Sequence, residues 1–304
     1  MRTVLTRLLA LVPTLWAIVT ITFFIIRLAP GGPFLSEREI PAEARATLQA
    51  KYGLDQPLLV QYGRYLRNAL HFDLGPSYKF PSRSVREIVL GALPISLELG
   101  AWAMLLALVV GVPIGTVAAL RQNTAWDHGP MAVAMLGVSI PNFILGPALV
   151  FVFALTLRWL PPATWGPPQT KILPVITLAA IYVAYVARLA RGGMLEVTRA
   201  DFIRTARAKG LAEHTIVWRH ALRGGLLPVV SFLGPAMARA VTGSIVVEKI
   251  FAIPGVGQSF VNGALNRDYT LVMGIVIFYA GFLIVFNLLV DLMYGVLDPR
   301  VQLE

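Results

Sequence analysis

The 304-residue chain is 57% hydrophobic and only 14% charged, with a formal net charge of +10 and no cysteine. Soluble domains carry about 25% charged residues, so the composition excludes one. It also excludes disulfides and thiolate metal sites. A membrane-crossing helix takes about 20 mostly apolar residues, and the chain offers such runs in order. Residues 8–26 are uncharged, held between Arg7 and Arg27. The start with Arg2 and Arg7 resembles that of a secretory signal. The apolar run, however, exceeds the roughly 7–15 residues of a signal core, and no small-x-small cleavage site follows. It reads as a retained helix with Leu28-Ala29-Pro30-Gly31-Gly32 as its exit.

Residues 30–87 mix eight basic and six acidic side chains, as a solvated surface does. Within them, 41–52 has helical composition. Residues 58–70 repeat Leu59, Tyr62, Tyr65, Leu66 and Ala69 on one helical face, an amphipathic helix suited to lipid headgroups or to a partner. Residues 99–120 form a second clean run between Glu98 and Arg121, with Gly111 and Gly115 spaced for close helix approach. Residues 129–157 and 269–290 are also clean, the latter ending at Asp291. The run 172–187 is shorter. The run 224–247 carries Arg239 among Ala236, Ala238 and Ala240. A charge inside a span costs about 2.5–3.5 kcal/mol on insertion scales and faces the bundle interior or a wet cavity. Arg239 is therefore a candidate for a transport path or a subunit contact, against a structural ion pair or snorkelling. The count is six spans, and the fold class is an all-α polytopic membrane protein.

Lys and Arg in short loops mark the cytoplasmic side. Residues 188–223 hold eight basic and three acidic residues, whereas 158–171 hold two basic residues and four prolines. With six spans, both termini fall on the side of the basic loop, and 30–87 falls outside. The positive charge is thus a topological signal, and nucleic acid is excluded as a partner.

The basic segment 199–228, RADFIRTARAKGLAEHTIVWRHALRGGLLP, reads as more than a passive loop. Asp201 can cap a helix start, Phe202, Ile203 and Ala206 can share a face, and Gly210 permits a stop. A short helix of this kind suits docking in a groove of another protein; a merely solvated basic loop is the plain alternative. Nearer the C-terminus, Glu248-Lys249 and the turn Pro254-Gly255-Val256-Gly257 break any continuous helix over 246–269. Irregular backbone at membrane depth is tolerated only against protein or a wet cavity. An outer gate competes here with an ordinary turn. No phosphate-cradling loop and no H-E-x-x-H site occurs, and His71, His128, His214 and His220 are not spaced as metal ligands. A membrane enzyme is disfavoured by the missing catalytic set. An ion-driven transporter is disfavoured by the lack of an internal repeat.

The segment DFIRTARAKGLAEHTIVWRHALRGGLLPVV resembles the cytoplasmic coupling-loop signature of binding-protein-dependent ABC importers, in the version of the dipeptide/oligopeptide/nickel permease family. Arg204-Thr205-Ala206 stands where the general motif has Glu-Ala-Ala before Gly210. Five extra residues precede Pro228, and both departures are typical of the peptide branch. RLLALVPTLWAIVTITFFIIRLAPGGP, YGLDQPLLVQYGRYLRNALHFDLGPSYKFPSRSVREI, VVEKIFAIPGVGQSFVNGALNRDY and DLMYGVLDPRVQ resemble successive parts of the B-type permease subunit. The resemblance implies a type I importer permease fold divided as a helix at 1–29, an extracytoplasmic segment at 30–87, and a five-helix core at 88–304 with the coupling loop at 188–223. It implies a transport subunit, not an enzyme, in the inner (plasma) membrane. The implied cargo is peptides, or alternatively nickel complexes or modified peptides. The implied partners are a second homologous permease subunit, two ABC ATPase subunits, an extracytoplasmic substrate-binding protein and membrane lipid. This chain would hold no cofactor, ATP and Mg being bound on the ATPases. The coupling residues implied are Asp201, Phe202, Arg204, Thr205, Ala206, Lys209 and Gly210. Glu248, Pro254, Gly255 and Gly257 would form an outer gate loop.

Overall fold

The structure, a computed structural model, describes residues 2–28, 32–33, 42–242 and 244–297. Most of the expected helix exit after Leu28, residues 34–41 of the outer segment and residues 298–302 of the C-terminal ending lie outside the described residues, as does the side chain of Asp291. The elements are α1 (Arg2–Leu28), α2 (Ala42–Tyr52), α3 (Leu58–Leu70), α4 (Val85–Leu120), α5 (Ala125–Ser139) and α6 (Asn142–Leu149), which runs on as a π-helical turn, Val150–Thr156. Then come α7 (Pro168–Thr198), α8 (Asp201–Ala208), and α9 (Glu213–Thr215) joined through a π-helical turn, Ile216–Ala221, to α10 (Leu222–Gly225). The chain closes with α11 (Leu227–Thr242), α12 (Ile245–Ile250), α13 (Val256–Leu265) and α14 (Tyr269–Leu297). Among the described residues there is no strand, only a single bridge between Pro76 and Ser84.

The chain forms two compact units. Of the described residues, one takes those up to Ile95 together with Pro254–Val285; the other takes Ser96–Ile253 and residues 286–297. In the first unit the core is built from Val85, Val89 and Ala92 of α4, spaced to share a helical face, against Val256 of α13 and Leu271 and Ile275 of α14. The stripe on α3 turns toward α1: Tyr62 and Tyr65 pack on the buried Phe23 at 5.4 and 5.9 Å between ring centres, and the hydroxyls of Tyr62 and Thr20 lie 2.6 Å apart. Leu59, expected on the same stripe, is 75% exposed.

The second unit is organised on α7, which buries Leu173, Leu178, Ala184, Ala187, Ala190 and Met194. Small residues let backbones meet there. A Cβ added to Gly115 would lie 2.3 Å from the Ala187 carbonyl oxygen, and one on Gly111 would lie 2.9 Å from Val186. The Gly111/Gly115 pair is therefore a real contact of α4 with α7, of the small-residue kind that drives helix association in lipid.

Among the described residues, four stretches are long and apolar enough to cross a membrane: Val85–Leu120, Pro168–Thr198, Leu227–Ile250 (α11 with α12) and Tyr269–Phe286. Ala125–Ser139 with Asn142–Thr156 forms a fifth, bent by 107°. The shorter apolar helix Val12–Leu28 lies within α1. These elements are consistent with six spans, with revisions. Residues 129–157 do not form one straight span. Pro141 forces Ile140 out of the helical region, to φ −99° and ψ 114°, and the chain breaks there. α7 runs past residue 187 to Thr198, so Arg188 and Arg191 sit on a helix and not on a loop. Glu98 lies well inside α4, where it pairs with Lys171.

Candidate coupling surface and outer loop

α8 is short, and tertiary packing must hold it, since isolated helices below about 12–15 residues are marginal in water. Ile203 is wholly buried and Ala206 nearly so, both in a cluster with Ala119 of α4, Met194 of α7, Ile216 and Ala221. Phe202 does not join them. It is 53% exposed, leaving one edge of the apolar stripe bare. Asp201 is not the cap: Ala200 takes that position with φ −69° and ψ 152°. Asp201 lies in the first turn, where an acid favours the helix dipole, and pairs with Arg204 at 3.1 Å. Thr205 donates its hydroxyl to the Asp201 carbonyl at 2.9 Å.

The helix ends on a closed motif. Lys209 is the C-cap and Gly210 has φ +77°. The Gly210 amide donates to the Arg207 carbonyl at 2.9 Å and the Leu211 amide to the Ala206 carbonyl at 3.3 Å, the paired bonds of a Schellman stop. Across this turn Arg207 Nε donates to Glu213 Oε1 at 2.7 Å and Nη2 to Oε2 at 3.4 Å. These hydrogen bonds hold the Glu213 carboxyl below its ordinary range and the Arg207 guanidinium above its own. The exposed face of the loop thus carries Phe202, Arg204, Arg207, Lys209, Leu211 and the 77% exposed Trp218.

Arg239 projects from α11 beside the buried Ala236, Ala238 and Ala240; it is exposed and has no hydrogen bond or ion pair among the described residues. The proposed gate residues separate. Glu248 is on α12, wholly buried, accepting from the Ser96 hydroxyl at 2.8 Å and the Ser244 hydroxyl at 2.6 Å. It ties helices together inside its unit. Pro254, Gly255 and Gly257 belong to the other unit, at the entry to α13, where Gly255 is the N-cap. The turn between holds Ala252 in the left-handed region at φ +51°.

Two polar centres carried no signal in the sequence. Asp127 of α5, 1% exposed, accepts from Arg191 of α7 through both oxygens, at 2.6 and 2.8 Å, and from the Asn123 amide at 3.0 Å. Nothing in a single sequence pairs an acid in a neutral loop with an arginine 64 residues later. Asp268, also 1% exposed, accepts from the Leu271 amide at 3.2 Å at the start of α14 and from the Tyr78 amide at 3.1 Å, with the Ser77 hydroxyl as a further donor.

Apolar spans with a basic, helix-bearing loop packed on α4 and α7 define a polytopic membrane protein. Its fold matches that of importer permeases: a chain of the MetNI methionine ABC transporter in an inward-facing conformation aligns over 69% of this chain and 96% of its own, with a TM-score of 0.60 at 16% identity. A chain of an amino acid ABC transporter crystallised with histidines aligns over 68% and 93%, with a TM-score of 0.54 at 16% identity. Residues 111–303 match the family described as binding-protein-dependent transport system inner membrane component, and the chain belongs to that family. The oligopeptide transport system permease protein OppB of Salmonella typhimurium is 49% identical over 98% of each chain. OppB of Escherichia coli K12 is 48% identical over the same shares. The dipeptide transport system permease protein DppB of Bacillus subtilis is 45% identical over 100% of this chain and 98% of its own. The protein is thus a multi-pass inner membrane component of a transport system and not itself an enzyme.

Proposed function

We propose that the chain is the permease subunit of an ATP-driven importer of peptides, forming half of the translocation path and taking its power from separate ATPase subunits. The full-length similarity to oligopeptide and dipeptide permeases supports peptides as the cargo and does not favour nickel complexes. In this reading the second half of the path is a homologous permease, two ATPases hold ATP and Mg, and an extracytoplasmic binding protein delivers the peptide. Both termini and α8 face the cytoplasm, 30–87 lies outside, and 88–304 forms the permease core with its coupling loop.

One observation carries the coupling role. α8 is fixed to the bundle by Ile203 and Ala206, yet exposes Phe202 at 53%. A helix clamped on one side and bare on the other transmits the movement of a partner to α4 and α7, and a two-state bundle biased in this way gives alternating access. Arg239 fits a path lining or a contact with the second permease, and Pro254, Gly255 and Gly257 fit a gate at the outer mouth. Co-expression with a second permease subunit and ATPase subunits, followed by purification and peptide uptake in proteoliposomes supplied with a binding protein, tests the reading. ATP-dependent uptake of a radiolabelled tripeptide is the expected result; uptake that persists without ATPase chains overturns it.

A further inference from the structure

A concavity of the first unit opens between α4 and α13, with a volume of about 560 Å³. Ile88, Ala92 and Ile95 of α4 and Leu271 of α14 give it an apolar floor. Gln258 and Asn262 line it from α13 at i and i+4, and Asn266, the C-cap of that helix, follows at i+8. Lys79 and Arg83 stand at its rim with Glu87, so both signs of charge are present. The volume falls in the roughly 300–1,000 Å³ range of ligand sites, and an apolar surface with a few convergent polar groups is their usual make-up.

The spacing of the carboxamides points to what they read. Four residues of α-helix rise about 6 Å. Two residues of an extended chain rise about 6.4–6.8 Å, which is the repeat of main-chain groups facing one way. Amides at i, i+4 and i+8 therefore keep step with an extended peptide over the roughly 12 Å from Gln258 to Asn266, or about four residues. A carboxamide both donates and accepts, with a capacity of about four hydrogen bonds, so a partner within the chain does not exhaust it. It pairs with the N–H and C=O that every residue presents, irrespective of side chain. The apolar floor accepts side chains without selecting among them, and the rim charges match a zwitterion.

We propose that this groove binds an extended peptide of about four residues by its main chain, the rows of carboxamides supplying grip without sequence preference. The proposal rests on the peptide-import reading above. Gly91 provides the test. It lines the groove on the exposed side of α4, and a Cβ placed there meets no atom within 4 Å, so Gly91→Trp fills the groove without displacing the core.

The experiment uses the complete reconstituted importer and three probes of different side chain, tetra-alanine, tetraleucine and tetralysine. Wild-type uptake of these peptides is measured first; no uptake would overturn the peptide-import reading itself, and this inference with it. Given wild-type uptake, Gly91→Trp and Asn262→Leu/Asn266→Leu should each lower it by about tenfold or more, equally for all three probes, the equivalent of about 1.4 kcal/mol. Photocrosslinking from a tetrapeptide probe that carries p-benzoylphenylalanine should label α4 or α13 in the wild-type importer and not in Gly91→Trp. Unchanged uptake, a loss confined to one probe, or failure of Gly91→Trp to assemble with the second permease would each overturn the groove while leaving peptide import intact. The last outcome would assign the groove to a partner chain.

Discussion

Adjacent residues on α8 should separate folding from coupling. Ile203 is wholly buried against Met194, Ile216 and Ala119. Truncating such a side chain removes its burial and leaves a cavity, so Ile203→Ala should cost about 2–5 kcal/mol of stability in the loop. Phe202 is 53% exposed. A phenylalanine offers about 200 Å², so about 100 Å² awaits a partner, worth about 2.5 kcal/mol at 25 cal/mol per Å². At about 1.4 kcal/mol per decade, Phe202→Ala should weaken ATPase binding by about 60-fold. The assay is titration of the purified ATPase onto permease in nanodiscs, read by fluorescence, alongside thermal unfolding of the permease alone. Ile203→Ala should lower the unfolding temperature, and Phe202→Ala should leave it unchanged while weakening the titration. If Phe202→Ala binds within about threefold of wild type, under 1 kcal/mol, the bare edge is not the docking contact and the reasoning fails.

Gly210→Val forces a β-branched residue to φ +77°; at about 1–2 kcal/mol it should open the Schellman stop, which appears as faster amide exchange at Leu211 and as ATP hydrolysis uncoupled from uptake. Ala206 faces inward, so Ala206→Leu should destabilise the anchored side of α8, seen as proteolysis between α7 and α9, and not act through the ATPase surface. Asp127→Ala strands the Arg191 guanidinium and should cost about 3–5 kcal/mol in thermal unfolding, with Asp127→Ala/Arg191→Ala recovering part of the loss. Ala252→Gly should relieve about 1 kcal/mol of left-handed strain at φ +51° and raise the unfolding temperature slightly.

The long apolar runs were legible because length and composition alone define them, and α3 was legible from its apolar spacing. The 107° bend was missed although its cause stands in the sequence: Pro141 bars Ile140 from the helical region, but hydropathy averages over it. The end of the fourth span was misplaced for a related reason. Hydropathy falls at Arg188, whereas the backbone continues in helix to Thr198, since arginine is a good helix former and hydropathy marks only where the apolar composition ends. On α8 the apolar stripe was visible, but which of its members turn inward was not, since that depends on Ala119, Met194 and Ile216 from distant segments. Glu248 shows the same limit. Beside Lys249 it reads as a charged break in a span, and only the fold brings Ser96 to it across 152 residues of chain.

Three acids of the second unit follow one rule. Asp127 is held by Arg191, Glu98 by Lys171, and Glu248 by two serine hydroxyls. Each of these three has a donor from the same chain, because a buried charge left alone would be too costly to insert. Arg239 departs from the rule: it sits among buried alanines on an otherwise apolar helix, exposed and with no ion pair among the described residues. The insertion cost of about 2.5–3.5 kcal/mol is not offset within those residues, so an acid, water or a headgroup beyond them must meet it. Of the sequence-derived candidates, Arg239 is therefore the one whose partner lies beyond the described residues, and a path lining, a subunit contact and a headgroup reached by snorkelling each supply one.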